Sequence, residues 1–252
     1  MTSLRRIRLP RFNCSIQVTR FAQEAAVLIM VLTLPVQVHA QTAKQPKVAP
    51  GPNEPDWVKL LDEEYGLDPV ADLANPVETD PRDVPGLFIK AGKGPVVYRP
   101  LIALGLETPT HGGYYSPHPD PTRTQIKIWS YQFKNTAHDL KTRMNLPPPL
   151  MEGSKVEFDP GDQPFGVWVS NAGFADEPGV FSEPRAVEAA NPRLAHQPYK
   201  VMIYPYRDKT TGKFVPNAYL LGWEYSTNDD FQDVVCVLEN VRLVKPQRNS
   251  SP

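Results

Sequence analysis

A chain of 252 residues with 27 basic and 28 acidic side chains, net charge −1, carries no electrostatic footprint for nucleic acid and little for an anionic membrane surface. Its 29 prolines, about twice the usual share, run through the whole chain and exclude long helices in favour of strands, turns and extended loops. The length allows one or two domains with a sizeable core, and a single mostly β domain is expected.

The first forty residues read as an address rather than as fold. Arg5, Arg6, Arg8, Arg11 and Arg20 make a basic start, residues 25–34 are apolar, Pro35 breaks the run, and Ala40 supplies a small residue at its end. This is the pattern of a secretory signal peptide cleaved after Ala40, which leaves 22 basic against 27 acidic side chains and no expected membrane contact. Cys14 leaves with the signal. Cys236, set among valines, reads as a small buried hydrophobe and not as a nucleophile, so no intramolecular disulfide is expected.

Residues 41–55 are polar and proline-rich, a flexible linker. Within 56–85, Asp56 looks like an N-cap, and Trp57, Val58, Leu60, Leu61 and Tyr65 follow at helical spacing up to Gly66. One short N-terminal helix is expected, then a proline-rich strap. From 86 to 246 the pattern is that of an antiparallel β-sandwich or jelly roll, with a disordered tail over 247–252. Pro95 and Pro100 interrupt the second strand and point to an edge or a break.

Residues 108–124 read as a long loop carrying His111, Tyr114, Tyr115, His118 and Asp120. Long loops in compact domains are often functional, yet the His-x6-His-x-Asp spacing matches no strong metal pattern. Residues 124–133 alternate cleanly, with Lys127, Trp129, Tyr131 and Phe133 on one face. Tyr114, Tyr115, Trp129 and Tyr131 therefore form a candidate ligand-binding cluster, an exposed aromatic platform of the sort that stacks on sugar rings. Further on, Gly166 suggests a bulge or close approach, and residues 183–191 suggest a short helix. A hairpin follows, with Gly212 left-handed in its loop.

The strongest signal is residues 217–244, two apolar strands joined by an acidic loop, the second apolar on both faces and so deep in a sheet. Glu224, Asn228, Asp229, Asp230 and Asp233 crowd one end. Like charges held together raise one another's pKa unless a cation sits among them, and carboxylate and amide oxygens suit calcium. The other reading is a solvated acidic turn. The loop is not an EF-hand, because Asp233 stands where that motif has its glycine.

Gly166-Val167-Trp168-Val169, Phe181-Ser182-Glu183, Tyr204-Pro205, 215–219 and Gly222-Trp223-Glu224, followed by 229–235, together resemble a C-terminal domain of exported bacterial proteins, the domain of unknown function 4114 type. Gln232 stands where that pattern has asparagine. The resemblance covers about the last third of the chain and implies binding or structure outside the cytoplasm in preference to catalysis. The expected function is an exported, calcium-stabilised, non-catalytic module that binds a polysaccharide or surface protein or helps assemble a surface structure. An extracellular carbohydrate-active hydrolase is the alternative, using carboxylates among Glu157, Asp159 and Asp162 if folding sets them across a cleft. No catalytic residue is assigned.

Overall fold

The chain divides into residues 1–40 and residues 41–252. The structure, a computed structural model, describes residues 62, 63, 66, 86–104, 107–132, 147–174, 178–226 and 231–244, all of them in the second unit. It is mostly β, as the sequence indicates. The strands are β1 (Phe88–Lys90), β2 (Val96–Ala103), β3 (Thr110–Tyr115), β4 (Ile126–Tyr131), β5 (Glu157–Phe158), β6 (Gly166–Asn171) and β7 (Val180–Phe181). After helix α1 (Pro184–Ala190) come β8 (Val201–Arg207), β9 (Phe214–Trp223), β10 (Val234–Glu239) and β11 (Val241–Leu243).

These strands form three antiparallel sheets, ordered β5-β2-β10-β9-β8, β4-β3-β6-β7 and β1-β11. The two larger sheets face each other through aromatic contacts. Tyr98 of β2 meets Trp129 of β4 at 5.4 Å between ring centroids, and Phe158 of β5 stacks on Tyr114 of β3 at 4.3 Å. β1 ties the layers together, pairing with β11 on one side while Phe88 exchanges two backbone hydrogen bonds with Phe165 ahead of β6. The arrangement is a sandwich, and α1, the one α-helix with a full range among the described residues, lies late in the chain. Of the expected N-terminal helix, Asp62 and Glu63 are helical, and the Gly66 N–H reaches Asp62 O at 2.9 Å with φ +60°. The 227–230 loop, most of the N-terminal strap and the tail lie outside the described residues.

β10 is the middle strand of the five-stranded sheet, and Val234, Val235, Cys236, Val237 and Leu238 are each fully buried. That is why its sequence is apolar on both faces. The run does not continue unbroken to residue 244, because Asn240 turns the chain at φ +63° and its amide donates to Pro95 O at 3.0 Å. Pro100 lies beyond the two residues that β5 pairs with, next to the bulge between Val235 and Cys236. A missing N–H therefore costs no ladder bond to β5 there. Gly212, at φ +66°, closes the β8–β9 loop as the sequence indicates, with Thr211 N–H donating to the Asp208 carboxylate at 2.7 Å.

The expected loop at 108–124 is corrected. Its first half is β3, an inner strand paired with β4 and β6. Consecutive glycines look like loop in a sequence, but here they are required by packing. A Cβ on Gly112 would lie 2.0 Å from Trp129, and one on Gly113 would lie 1.9 Å from the carbonyl oxygen of Ile126. The second half is a short 3-10 turn, Pro121–Thr124, capped by Asp120.

A buried hydroxyl fastens the start of the domain to this second sheet. Ser182 Oγ accepts from Val167 N–H at 3.0 Å and donates to Gly86 O, and its residue is 1% exposed. Ser182→Ala is expected to lower stability by about 2 kcal/mol, because it leaves a buried N–H and a buried carbonyl without their partner. Urea unfolding followed by tryptophan fluorescence reads the loss, and an unchanged midpoint would show the two groups finding other partners.

Candidate functional site

The last hairpin closes on a buried polar cluster. β9 pairs with β10 and β8 so that Trp223 stands opposite both Val234 and Val201. The next position along is Glu224, and its N–H donates to Lys200 O at 3.0 Å, so Lys200 lies opposite it. Glu224 is fully buried, Lys200 is 1% exposed and Asp233 7%. Each is tied to the chain leaving β9. Glu224 Oε1 accepts from Ser226 N–H at 2.6 Å, the Lys200 ammonium donates to Ser226 O at 2.7 Å, and Asp233 Oδ2 accepts from Tyr225 N–H at 2.9 Å. Phe231 enters β10 at φ +56° although fully buried, a conformation a bulky residue adopts only when its surroundings force it.

Of the five expected metal ligands, Glu224 and Asp233 are thus brought to one place, and Asn228, Asp229 and Asp230 lie outside the described residues. Two carboxylates do not complete a calcium shell of six to eight oxygens. Both already accept backbone hydrogen bonds, and the Lys200 ammonium donates to Ser226 O at the same end of the hairpin. No group of three metal-binding side chains occurs among the described residues. Lys200 was missed in the sequence because its place beside Glu224 depends on the β8–β9 register across 23 intervening positions, and no motif records that.

The aromatic platform is corrected. Tyr115 and Tyr131 are fully buried and Trp129 is 1% exposed, while Tyr114 is half-buried and stacked on Phe158. Trp129 and Tyr131 stack on each other at 5.8 Å and point into the layer between the sheets. Alternation identified correctly that these two share a face. It could not tell which face the core would take, and the most apolar one goes inside because burying such rings is worth several kcal/mol.

The His-Asp spacing does not gather either. Asp120 N–H donates to His118 Nδ1 at 2.9 Å in an exposed turn. His111, on β3, pairs instead with Ser130, Nδ1 to Oγ 2.8 Å. The candidate hydrolase carboxylates stay within one exposed stretch at β5. Asp159 bonds Lys90 at 2.8 Å, and that contact with the Gly161 N–H holds its carboxyl below the usual range, the reverse of what a general acid needs.

A carboxyl of the opposite kind lies where α1 begins. Glu183 Oε2 accepts from the buried Tyr115 hydroxyl at 2.9 Å, and burial raises its pKa against the opposing effects of Tyr115 and Arg185. A raised folded-state value means that this group's contribution is fully present below its ordinary 4.5 and is lost as pH rises through the folded value. Glu183→Gln keeps an acceptor for Tyr115 and removes the titration. The wild type is expected to lose stability relative to this variant as pH rises above 4.5. Paired urea midpoints across that range check it, and a constant difference would contradict it.

Between Ser170, Asn171, Phe174, Gly179, Val180 and Tyr225 there is a cavity of about 10 Å³, room for one water. No protein-family model, no curated protein and no solved structure matches the chain.

Proposed function

We propose that this protein is an exported, non-catalytic β-sandwich module that binds a polysaccharide or a surface protein, or helps assemble a surface structure, outside the cytoplasm. The observation that supports it best is the use of its large aromatic side chains. Trp129, Tyr131, Tyr98 and Trp223 fill the space between the sheets and Tyr115 is buried against Phe181 and Glu183, so recognition falls to the remaining sheet faces and loops. The signal-like first forty residues support export. In this reading the cation of the last hairpin is the Lys200 ammonium, and calcium held by Glu224 and Asp233 with residues 228–230 is the competing reading.

The experiment is a pull-down of purified residues 41–252 on insoluble and immobilised polysaccharides, with a screen for release of reducing sugar. Retention without sugar release is expected. Sugar release that is lost in Glu157→Gln or Asp162→Asn would favour the hydrolase instead.

A further inference from the structure

The face of the β4-β3-β6-β7 sheet turned away from the core carries a polar row that neither the fold nor the hairpin accounts for. The register sets His111 opposite Ser130 on one side and Ser170 on the other. Adjacent strands lie about 4.8 Å apart, so the row presents a hydroxyl, an imidazole and a second hydroxyl at strand spacing. Ser130 is held by its backbone on both sides of the peptide, its N–H donating to Ser154 Oγ at 3.0 Å and its carbonyl accepting from the same hydroxyl at 3.2 Å. Its own side chain is thereby fixed 2.8 Å from His111 Nδ1. In the tautomer in which Ser130 donates to Nδ1, the imidazole carries its proton on Nε2. Lys127, exposed on β4 opposite Gly113, is the charged neighbour that acts on the ring.

Lysine has only donors, and the Nε2–H and the Ser170 hydroxyl add two more, the Ser130 proton being used on Nδ1. On a chain that is acidic after residue 40, such a donor-rich spot with one fixed cation is chemically matched to an oxyanion. Burial and Lys127 both keep His111 neutral when nothing is bound. An arriving carboxylate or sulfate group reverses that balance, since it would bond the imidazolium and Lys127 together.

From this geometry we infer that Lys127, His111, Ser130 and Ser170 form an oxyanion-binding site for the acid groups of an anionic polysaccharide. The inference rests on the reading of the protein as a surface-binding module and names the ligand class and the face. Free inorganic anions share the chemistry, so the test separates the two sources.

Histidine side-chain NMR signals of the purified chain are followed on adding sodium sulfate, polygalacturonate or neutral dextran, with sodium chloride holding ionic strength constant. His111 is expected to shift saturably with sulfate and at lower concentration with polygalacturonate, to stay unmoved by dextran, and to titrate at higher pH when bound. Lys127→Met is expected to weaken polygalacturonate binding about tenfold, the effect of one charge-assisted hydrogen bond. Response to sulfate alone would overturn the polysaccharide assignment. Shifts that only track ionic strength would overturn the site. Retention of polygalacturonate with His111 unmoved would also overturn the site while leaving the binding function standing.

Discussion

Gly112→Ala is expected to destabilise the protein by ~3 kcal/mol, the upper end of the usual cost of forcing atoms into a packed core. The position lies on β3 directly opposite Trp129, and the added Cβ would meet three ring atoms of that indole between 2.0 and 2.5 Å. The ring has nowhere to go. It is 1% exposed, stacked on Tyr131 and tilted against Tyr98 of the facing sheet. Relief requires either moving the sheets apart or swinging the indole out, and both forfeit burial that holds the layers together. Gly92→Ala is the control, because its Cβ would meet only Asn240 Oδ1 at 3.4 Å, and a change within about 1 kcal/mol is expected there. Urea unfolding of the pair reads the contrast. Equal midpoints would mean that β3 does not pack glycine against indole.

Lys200→Met is the second large effect, on the order of 3 kcal/mol, the cost of removing one partner from a buried charged group. Methionine matches the length of the lysine stem and keeps most of its packing, so the loss isolates the ammonium. Ser226 O would lose its donor beside the fully buried Glu224, whose own carboxylate accepts from the N–H of the same Ser226. Lys200→Met combined with Glu224→Leu should recover part of the loss, because an apolar pair carries no uncompensated charge. A double variant no more stable than the single one would separate the roles of the two side chains.

Where the chain must be apolar on two faces, as in β10, or must alternate, as in β4, the period is written in the sequence and the strands are found there. Gly212 and the short helix after Glu183 are local features, set by backbone freedom and by proline at a helix start, and they too were legible. β3 was not. Its glycines serve partners thirteen and seventeen residues away, Ile126 and Trp129, so the pattern of a loop and the pattern of a tight contact look alike. The same limit applied to function. Composition located the aromatic side chains but not which side of β4 would be covered, and the partners of Glu224 and His111 follow from register alone. A lysine at residue 200 and a serine at residue 130 become meaningful only once the strands are aligned.

The most direct test is thermal unfolding of residues 41–252 in calcium and in chelator, for wild type and for Lys200→Met. A ligand that binds only the folded state must raise the midpoint. If the hairpin is neutralised from within, the wild-type midpoint is the same in both conditions and falls sharply in Lys200→Met. A wild-type midpoint that rises with calcium and drops with chelator, with Lys200→Met close to wild type, would contradict this account and put the ion among Glu224, Asp233 and residues 228–230.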